Sequence, residues 1–196
     1  MLKLFAIVVV FFSIGQLYAQ TEQDYFERYR EFREKRKISK ITTDNYIDSF
    51  DVQGNLVKRT TLDNTYLISG LKDGNIVVEH NSATDGYVKQ TVSLALFYHT
   101  NLDPFSFYDN VKLSIDPLNR ILEETLTGVK LGSDHIYYYY EILKQFPNRS
   151  EYYNNNTLLY RTKYFYDGKG LLLKEEIVDE ITGRSYFKEY SYEFYE

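Results

Sequence analysis

Tyr164-Phe165-Tyr166-Asp167-Gly168-Lys169-Gly170-Leu171 decides how this chain is read. Two tyrosines two residues apart share one face of an extended strand. The acid and glycines that follow end the strand, because Asp favours the first position of a turn and glycine tolerates the conformations later in it. The pattern of Tyr, any residue, Tyr, acid recurs at Tyr138-Tyr139-Tyr140-Glu141 and at Tyr190-Ser191-Tyr192-Glu193, 26 residues away on either side. Leu113-Ser114-Ile115-Asp116 has the same shape with aliphatics. Nearer the start, Phe50-Asp51-Val52-Gln53-Gly54-Asn55-Leu56 and Leu71-Lys72-Asp73-Gly74-Asn75-Ile76 are turn-plus-strand units 22 residues apart. The gap from Asp73 to Asp116 leaves room for one degraded unit. A fixed period in this range marks a repeat architecture, and each unit has the length of one hairpin. The spacing predicts an all-β fold: an antiparallel meander or repeat sheet of about seven hairpin units over residues 40–196.

Parity sharpens the expectation. A separation of 26 is even, so equivalent tyrosines keep the same face from unit to unit. Tyr138, Tyr140, Tyr164, Tyr166, Tyr190 and Tyr192 therefore form a candidate ladder on one face of the C-terminal sheet. Any exposed part of that ladder is the expected binding face, since tyrosine supplies contact area while its hydroxyl tolerates water. The competing expectation is that the ladder is core.

The Tyr164–Leu171 unit resembles the tyrosine–aspartate repeat of exported bacterial proteins, the type also found in the shells of rearrangement-hotspot proteins. Units at Asp51 and Asp73 keep the acid and glycine without the paired tyrosines, and Asp116 is followed by Pro117 and Asn119. The resemblance implies a secreted antiparallel β fold with no catalytic residues of its own.

The start of the chain adds an address and one helix. Lys3, the apolar run Leu4–Ile14 and the small residue Ala19 before Gln20 have the three parts of a secretory signal peptide, so residues 1–19 are expected to be removed. The apolar core is about half the ~20 residues that a spanning helix needs. From Glu22 to Lys37, Tyr25, Phe26, Tyr29 and Phe32 fall on one helical face, acids lead and bases trail. Residues 20–39 are expected to form an amphipathic helix whose aromatic stripe covers the start of the sheet.

Composition narrows the function. The chain has 23 basic and 28 acidic residues, 21 Tyr, 13 Phe, no Trp and no Cys. Removing Lys3 with the leader leaves a mildly acidic protein with no electrostatic footprint for nucleic acid. The absence of cysteine excludes disulfides, a thiol nucleophile, a cysteine zinc site and a lipid-anchored cysteine. His80, His99 and His135 are isolated, with no metal-ligand spacing, so no metal or cofactor is expected. Ser133-Asp134-His135 holds the residue types of a triad, but after Gly132 it reads as a turn. Glu141, Asp167 and Glu193 would lie ~9.5 Å apart on next-but-one strands, the outer limit for an inverting carboxylate pair. A turn role suits them better. Asn148-Arg149-Ser150 and Asn155-Asn156-Thr157 fit a glycosylation pattern, and the second reads more simply as a loop.

The reading is an exported, non-catalytic β-repeat protein of the periplasm or outer surface of a Gram-negative bacterium. It binds or scaffolds an envelope protein or a glycan and has no transmembrane helix once the leader is gone. One alternative is a calyx-like β-barrel that binds a small apolar ligand. Another is a small outer-membrane β-barrel, which charges on both strand faces argue against.

Overall fold

The computed structural model describes residues 22–196 apart from 63, 73–74, 83–85, 94–96, 98–109, 119, 129–131 and 143. The expected leader (1–19), Thr21, the Asp73–Gly74 turn and His99 lie outside the described residues.

The first element is the helix α1, Glu22–Arg36. Arg30 links Glu27 at 2.5 Å and Glu34 at 3.1 Å along its surface, the three- and four-residue spacings that stabilise a helix. Arg33, Lys35 and Arg36 fill its last turn. Lys37 ends it in the left-handed region, φ 55°, with its N–H donating to Glu34 O at 2.9 Å. The buried Ile38 then opens the first strand, so the helix ends one residue before the expected Lys37, and the strand begins inside the segment 20–39 assigned to the helix.

Among the described residues fourteen strands follow, all paired antiparallel. The first sheet runs β1 (Ile38–Thr42), β2 (Tyr46–Phe50), β3 (Leu56–Thr61), β4 (Thr65–Lys72), β5 (Asn75–Ser82) and β6 (Gly86–Ser93). The second runs β7 (Asn110–Ile115), β8 (Ile121–Gly128), β9 (Gly132–Tyr139), β10 (Arg149–Asn154), β11 (Thr157–Tyr166), β12 (Leu172–Asp179) and β13 (Ser185–Glu189). The last strand, β14 (Ser191–Phe194), leaves the second sheet and pairs with β1. The expected all-β fold with one N-terminal helix is what the chain adopts, with its fourteen strands shared between two seven-stranded sheets. Tyr190 is the corner: its N–H still donates to Leu173 O of the second sheet at 3.0 Å, while Tyr192 pairs with Ile41 of the first.

The repeat acids explain the turns. Asp51 Oδ1 accepts from the N–H of Gln53 and of Asn55. Asp116 Oδ1 accepts from Leu118 and Arg120, and Asp167 Oδ1 from Lys169 and Leu171. In each case the carboxylate bonds the N–H groups two and four residues on, so one side chain holds a whole turn closed. Gly54 and Gly170 stand three residues after their Asp with φ 79° and 82°. A Cβ at Gly54 would lie 2.3 Å from Arg30 O, and one at Gly170 would lie 2.8 Å from the Phe146 ring. These glycines serve both the backbone conformation and the close approach of what packs on the turn.

What packs there is α1. Arg28 donates to Leu118 O at 2.9 Å and to Gln145 Oε1 at 2.7 Å. Arg30 reaches Gln53 O, Arg33 reaches Gly54 O, and Arg36 reaches Lys169 O. Turns of both sheets thus offer carbonyls to arginines of one helix, which spans the sheets at their turn end. Of the aromatic stripe, Phe26, Tyr29 and Phe32 face the space between the two sheets rather than only the start of one.

The core is one cluster drawn from both sheets. Ile68, Ile76, Val78 and Val92 of the first meet Val111 and Leu126 of the second, with Phe97 among them at 1% exposure.

Candidate functional site

Continuous with that cluster through Phe26, Ile38, Phe50 and Leu171, the sheets and α1 border a part-open cavity of about 330 Å³. The sequence ladder forms much of its wall. Tyr138, Tyr140, Tyr164, Tyr166, Tyr190 and Tyr192 all line it, so the structure brings all six candidate residues to one space. The helix contributes Phe26, Tyr29 and Phe32, and the first sheet contributes Tyr46 and Phe50. Phe146, from the loop before β10, completes the aromatic wall. It meets Tyr29 and Phe32 edge-on at 6.3 and 5.6 Å and stacks on Tyr166 at 5.3 Å.

Four of the ladder hydroxyls are engaged by the protein. Tyr140 donates to Ile121 O and Tyr192 to Leu172 O, both at 2.8 Å. Tyr164 shares a 2.8 Å bond with Ser150 Oγ, and Tyr190 donates to Glu175 Oε1 at 2.5 Å. With these hydroxyls held by neighbours, the rings present mainly carbon to the cavity. Burial favours the neutral phenol. It raises the Tyr164 and Tyr190 hydroxyls well above the ordinary tyrosine range, with Glu175 adding to both, and pushes Tyr192 up to about 12.

The cavity also carries charge. Asp48, Glu124 and Glu175 line it, with Arg33 as the lining cation. Asp48 sits on the strand parity of Tyr46 and Phe50 and is bound by Arg59 through two bonds, 2.7 and 2.8 Å. Arg59 is itself buried, lies 4.3 Å from the Tyr46 ring centre and 4.7 Å from that of Phe97, and donates to Phe97 O. Glu124 is 1% exposed on β8 and faces Leu113 and Ile136 in register. Arg33 Nε is bound to Gly54 O at 2.8 Å, and its guanidinium covers Phe50.

Compared by sequence, the chain matches no family profile and no curated protein. Compared by fold, it is similar to a LolA superfamily protein. That solved structure, NE2245 from Nitrosomonas europaea, shares 18% identity at a TM-score of 0.36, over 91% of this chain and 95% of that one.

The remaining sequence candidates fall elsewhere. Of the three repeat acids, Asp167 closes a turn, whereas Glu193 lies on β14 and pairs with Lys40 at 2.8 Å, which corrects its expected turn role. Glu141 follows β9 in an exposed loop. Ser133-Asp134-His135 is strand rather than turn, because β9 begins at Gly132. Alternation sends Asp134 inward, where it accepts from Tyr152 and Asn154, and sends Ser133 and His135 to the outer face. There His135 meets Glu123 at 2.8 Å and Ser133 Oγ at 3.2 Å. His80 packs against Tyr66 at 5.0 Å. Among the described residues no group of three His, Cys, Asp or Glu is placed to hold a metal ion. Asn155 and Asn156, with φ 45° and 66°, form the two-residue turn of the β10–β11 hairpin.

The sequence reading overlooked Phe146, Glu124, Glu175 and the Asp48–Arg59 pair. Glu124 could have been noticed, because it alternates with Leu122 and Leu126 on a strand parity otherwise apolar. Phe146 sits in a loop and carries no periodic signal.

Proposed function

We propose that this chain is an exported binding protein that holds one small, largely apolar molecule between its sheets. The supporting observation is the cavity itself: about 330 Å³, walled by aromatic rings whose hydroxyls are largely engaged by the protein. Pockets of ~300–1,000 Å³ lined by aromatic side chains with a few placed polar groups are the usual form of a small-molecule site. At ~30 Å³ per water-sized group, the space suits about eleven such groups, the scale of a medium acyl chain or a two-ring compound. A glycan would need many hydrogen-bond partners, and the four ladder hydroxyls above are spent on the protein. The calyx-like reading therefore suits the geometry better than an envelope scaffold. The lipid-facing barrel is disfavoured by charge pairs on the second sheet, where Arg161 lies 3.2 Å from Glu180 and Lys163 lies 3.8 Å from Glu176. Among the described residues no helix is long and apolar enough to cross a membrane.

Export, to the periplasm or beyond, rests on the leader. The likeness to tyrosine–aspartate repeats is, on this reading, shared turn chemistry: the acid closes the turn and the tyrosines before it line the interior. The function is binding without turnover. Neither this cavity nor a second one of about 410 Å³, bordered by Phe26, Arg30, Leu56, Ile68 and Ile76, includes Ser133 or His135. Covalent labelling of Ser133 by a fluorophosphonate would contradict that.

The test is a titration with the neutral fluorophore N-phenyl-1-naphthylamine. Emission should saturate at one equivalent, and Leu172→Trp, which fills the cavity, should abolish the signal. Non-saturating uptake, or full binding by the filled variant, would overturn the proposal.

A further inference from the structure

Lys188 is a half-buried amine that the cavity reading leaves without a task. It stands on β13 directly opposite Glu175 of β12. Its ammonium lies 5.2 Å from the Tyr46 ring centre and 5.1 Å from that of Tyr190. Tyr46, Tyr190 and Glu175 all line the cavity, whereas Lys188 adjoins that wall without being part of it. The charges here are balanced. Asp48 is bound by Arg59, and Glu175 accepts from Tyr190 and has Lys188 as its cross-strand counter-charge. Among the described residues, however, no hydrogen bond and no ion pair within 4 Å reaches the Lys188 ammonium, which rests on ring faces.

Lysine and arginine differ in what such a place makes of them. A cation needed only for charge and stacking is served by a guanidinium, as Arg59 shows at 4.3 Å from the Tyr46 ring centre. An ammonium taken out of water gives up its proton more readily, and a neutral lysine is a nucleophile. Beside the phenols of Tyr46 and Tyr190, four charged groups face Lys188: Glu175 on β12, Arg59 on β3, Asp48 on β2 and Asp44 before it. Burial outweighs the pull of the three acids, Arg59 repels the charge, and the amine is pushed below the ordinary lysine range. Lys89, exposed on β6 and paired with Glu79 at 2.7 Å, moves the opposite way.

We propose that Lys188 captures a carbonyl-bearing apolar molecule, an aldehyde or ketone, as an imine at the edge of the cavity. This rests on the cavity being the binding site argued above, and it names the reactive group of the ligand. The nitrogen lone pair attacks the carbonyl carbon, the C=O pair moves to oxygen, and the resulting carbinolamine loses that oxygen as water. An ammonium and a carbonyl thus become a protonated imine and one water, with no oxidant or reductant. The positive charge stays where it was, over the Tyr46 and Tyr190 faces and opposite Glu175, so the balance of the wall is kept. The body of the ligand lies in the aromatic space. Hydrolysis reverses the capture, so this is binding without turnover.

The experiment incubates the purified protein at pH 7 with 2-naphthaldehyde and sodium cyanoborohydride, which turns an imine into a stable secondary amine. Peptide mass spectrometry then maps the adducts. A larger neutral fraction and a carbonyl held nearby both speed the reaction. Lys188 should therefore be modified at least about ten-fold faster than the exposed Lys58 and Lys112. Bound N-phenyl-1-naphthylamine should slow Lys188 and leave Lys58 and Lys112 unchanged. Lys188→Arg keeps a cation on the rings, so it should bind the fluorophore and lose the preferred adduct. Should that variant not fold, the map of the unaltered protein decides alone. Equal modification of the three lysines overturns the proposal, and so does modification of Lys188 that the bound fluorophore does not slow. Either result, with the fluorophore bound, leaves the apolar cavity standing. Failure of the fluorophore to bind overturns both.

Discussion

The two ends of the inter-sheet space are built differently. Where β4, β5 and β6 meet β7 and β8, Val78, Val92, Val111 and Leu126 close on one another, while Ile68 and Ile76 also border a second cavity of about 410 Å³ beside Leu56 and Gly70. Where β14, β1 and β2 face β9, β11 and β12, tyrosines and phenylalanines predominate among the facing side chains, and a cavity remains. Branched aliphatics interdigitate at close range. Rigid rings whose hydroxyls are tied to the wall stand off from one another. One fold thus carries a closed aliphatic cluster that supplies stability and an aromatic end that keeps a space open between the sheets. The border is the Arg59–Asp48 pair, with Tyr46 on one side and Phe97 on the other.

The largest expected effect lies on that border. Arg59→Ala leaves Asp48 buried without its two bonds and removes a cation packed between two rings. Breaking a buried pair by removing one partner typically costs ~3–5 kcal/mol. Urea unfolding should register a loss of that size. A loss under ~1 kcal/mol, the range of exposed pairs, would mean that the border is not dry.

A smaller effect isolates the helix that closes the aromatic end. Gly54→Ala combines a left-handed backbone, which costs an L-residue ~1–2 kcal/mol, with a clash against Arg30 O. Gly183→Ala has a similar φ, 69°, with nothing within 4 Å, so it carries the backbone cost alone. The Gly54 variant should be the less stable of the two, and proteolysis of its helix should accelerate. Equal melting temperatures would show that the helix is not seated on the turn.

Smaller still are the hydroxyl deletions. Tyr190→Phe removes a bond to a carboxylate, about 1.5–3 kcal/mol, and Tyr164→Phe removes a neutral one with Ser150, about 1 kcal/mol. Thermal denaturation should rank them in that order. Ring faces stay in place, so binding of an apolar probe should survive both. Its loss in either variant would show that the hydroxyls, and not the rings, meet the ligand.

The least effect at neutral pH is the tyrosine titration, which emerges only in alkali. In the unfolded chain tyrosines ionise near ~10. Tyr192 is pushed up to about 12 in the fold, and Tyr164 and Tyr190 move in the same direction. Above pH ~10 the unfolded chain releases protons that the fold retains, so stability is full below pH 10 and falls as pH rises towards 12. Urea midpoints measured from pH 8 to 11.5 should be flat and then drop. A flat profile to the end would place these hydroxyls in water.

The difference between the two ends was partly legible in the sequence. The 26-residue recurrence and its even parity carried Tyr138, Tyr140, Tyr164 and Tyr166 to one wall of the second sheet, because strand alternation is local; the expected single face fails at Tyr192, which reaches the same cavity from β14 of the first sheet. The acid-to-glycine spacing gave the turns for the same reason: Asp51 and Asp167 bond only to their own loops. What the recurrence could not supply was which strands face each other across the space. The chain leaves one sheet for the other at Tyr190, within a repeat unit, so a unit that reads as one hairpin is divided between two sheets. Arg59 and Asp48 are eleven residues apart on adjacent strands, and nothing in their spacing marks them as buried. Phe146 joins the wall from a loop, where no period applies.

The central claim is that the tyrosine-lined end holds a ligand-sized space and the cluster around Val78, Val111 and Leu126 does not. The most direct measurement compares two filling substitutions, Ile121→Trp in the wall of the cavity and Val78→Trp in the closed cluster, by thermal denaturation of each. Overpacking a closed core costs ~1–3 kcal/mol, which at this size lowers Tm by ~2–4 °C per kcal/mol. The account predicts that Val78→Trp falls by at least that amount, while Ile121→Trp keeps or raises its melting temperature and loses the apolar probe. Equal destabilisation of the two, with probe binding intact in the Ile121 variant, would contradict it and make the tyrosine ladder ordinary core.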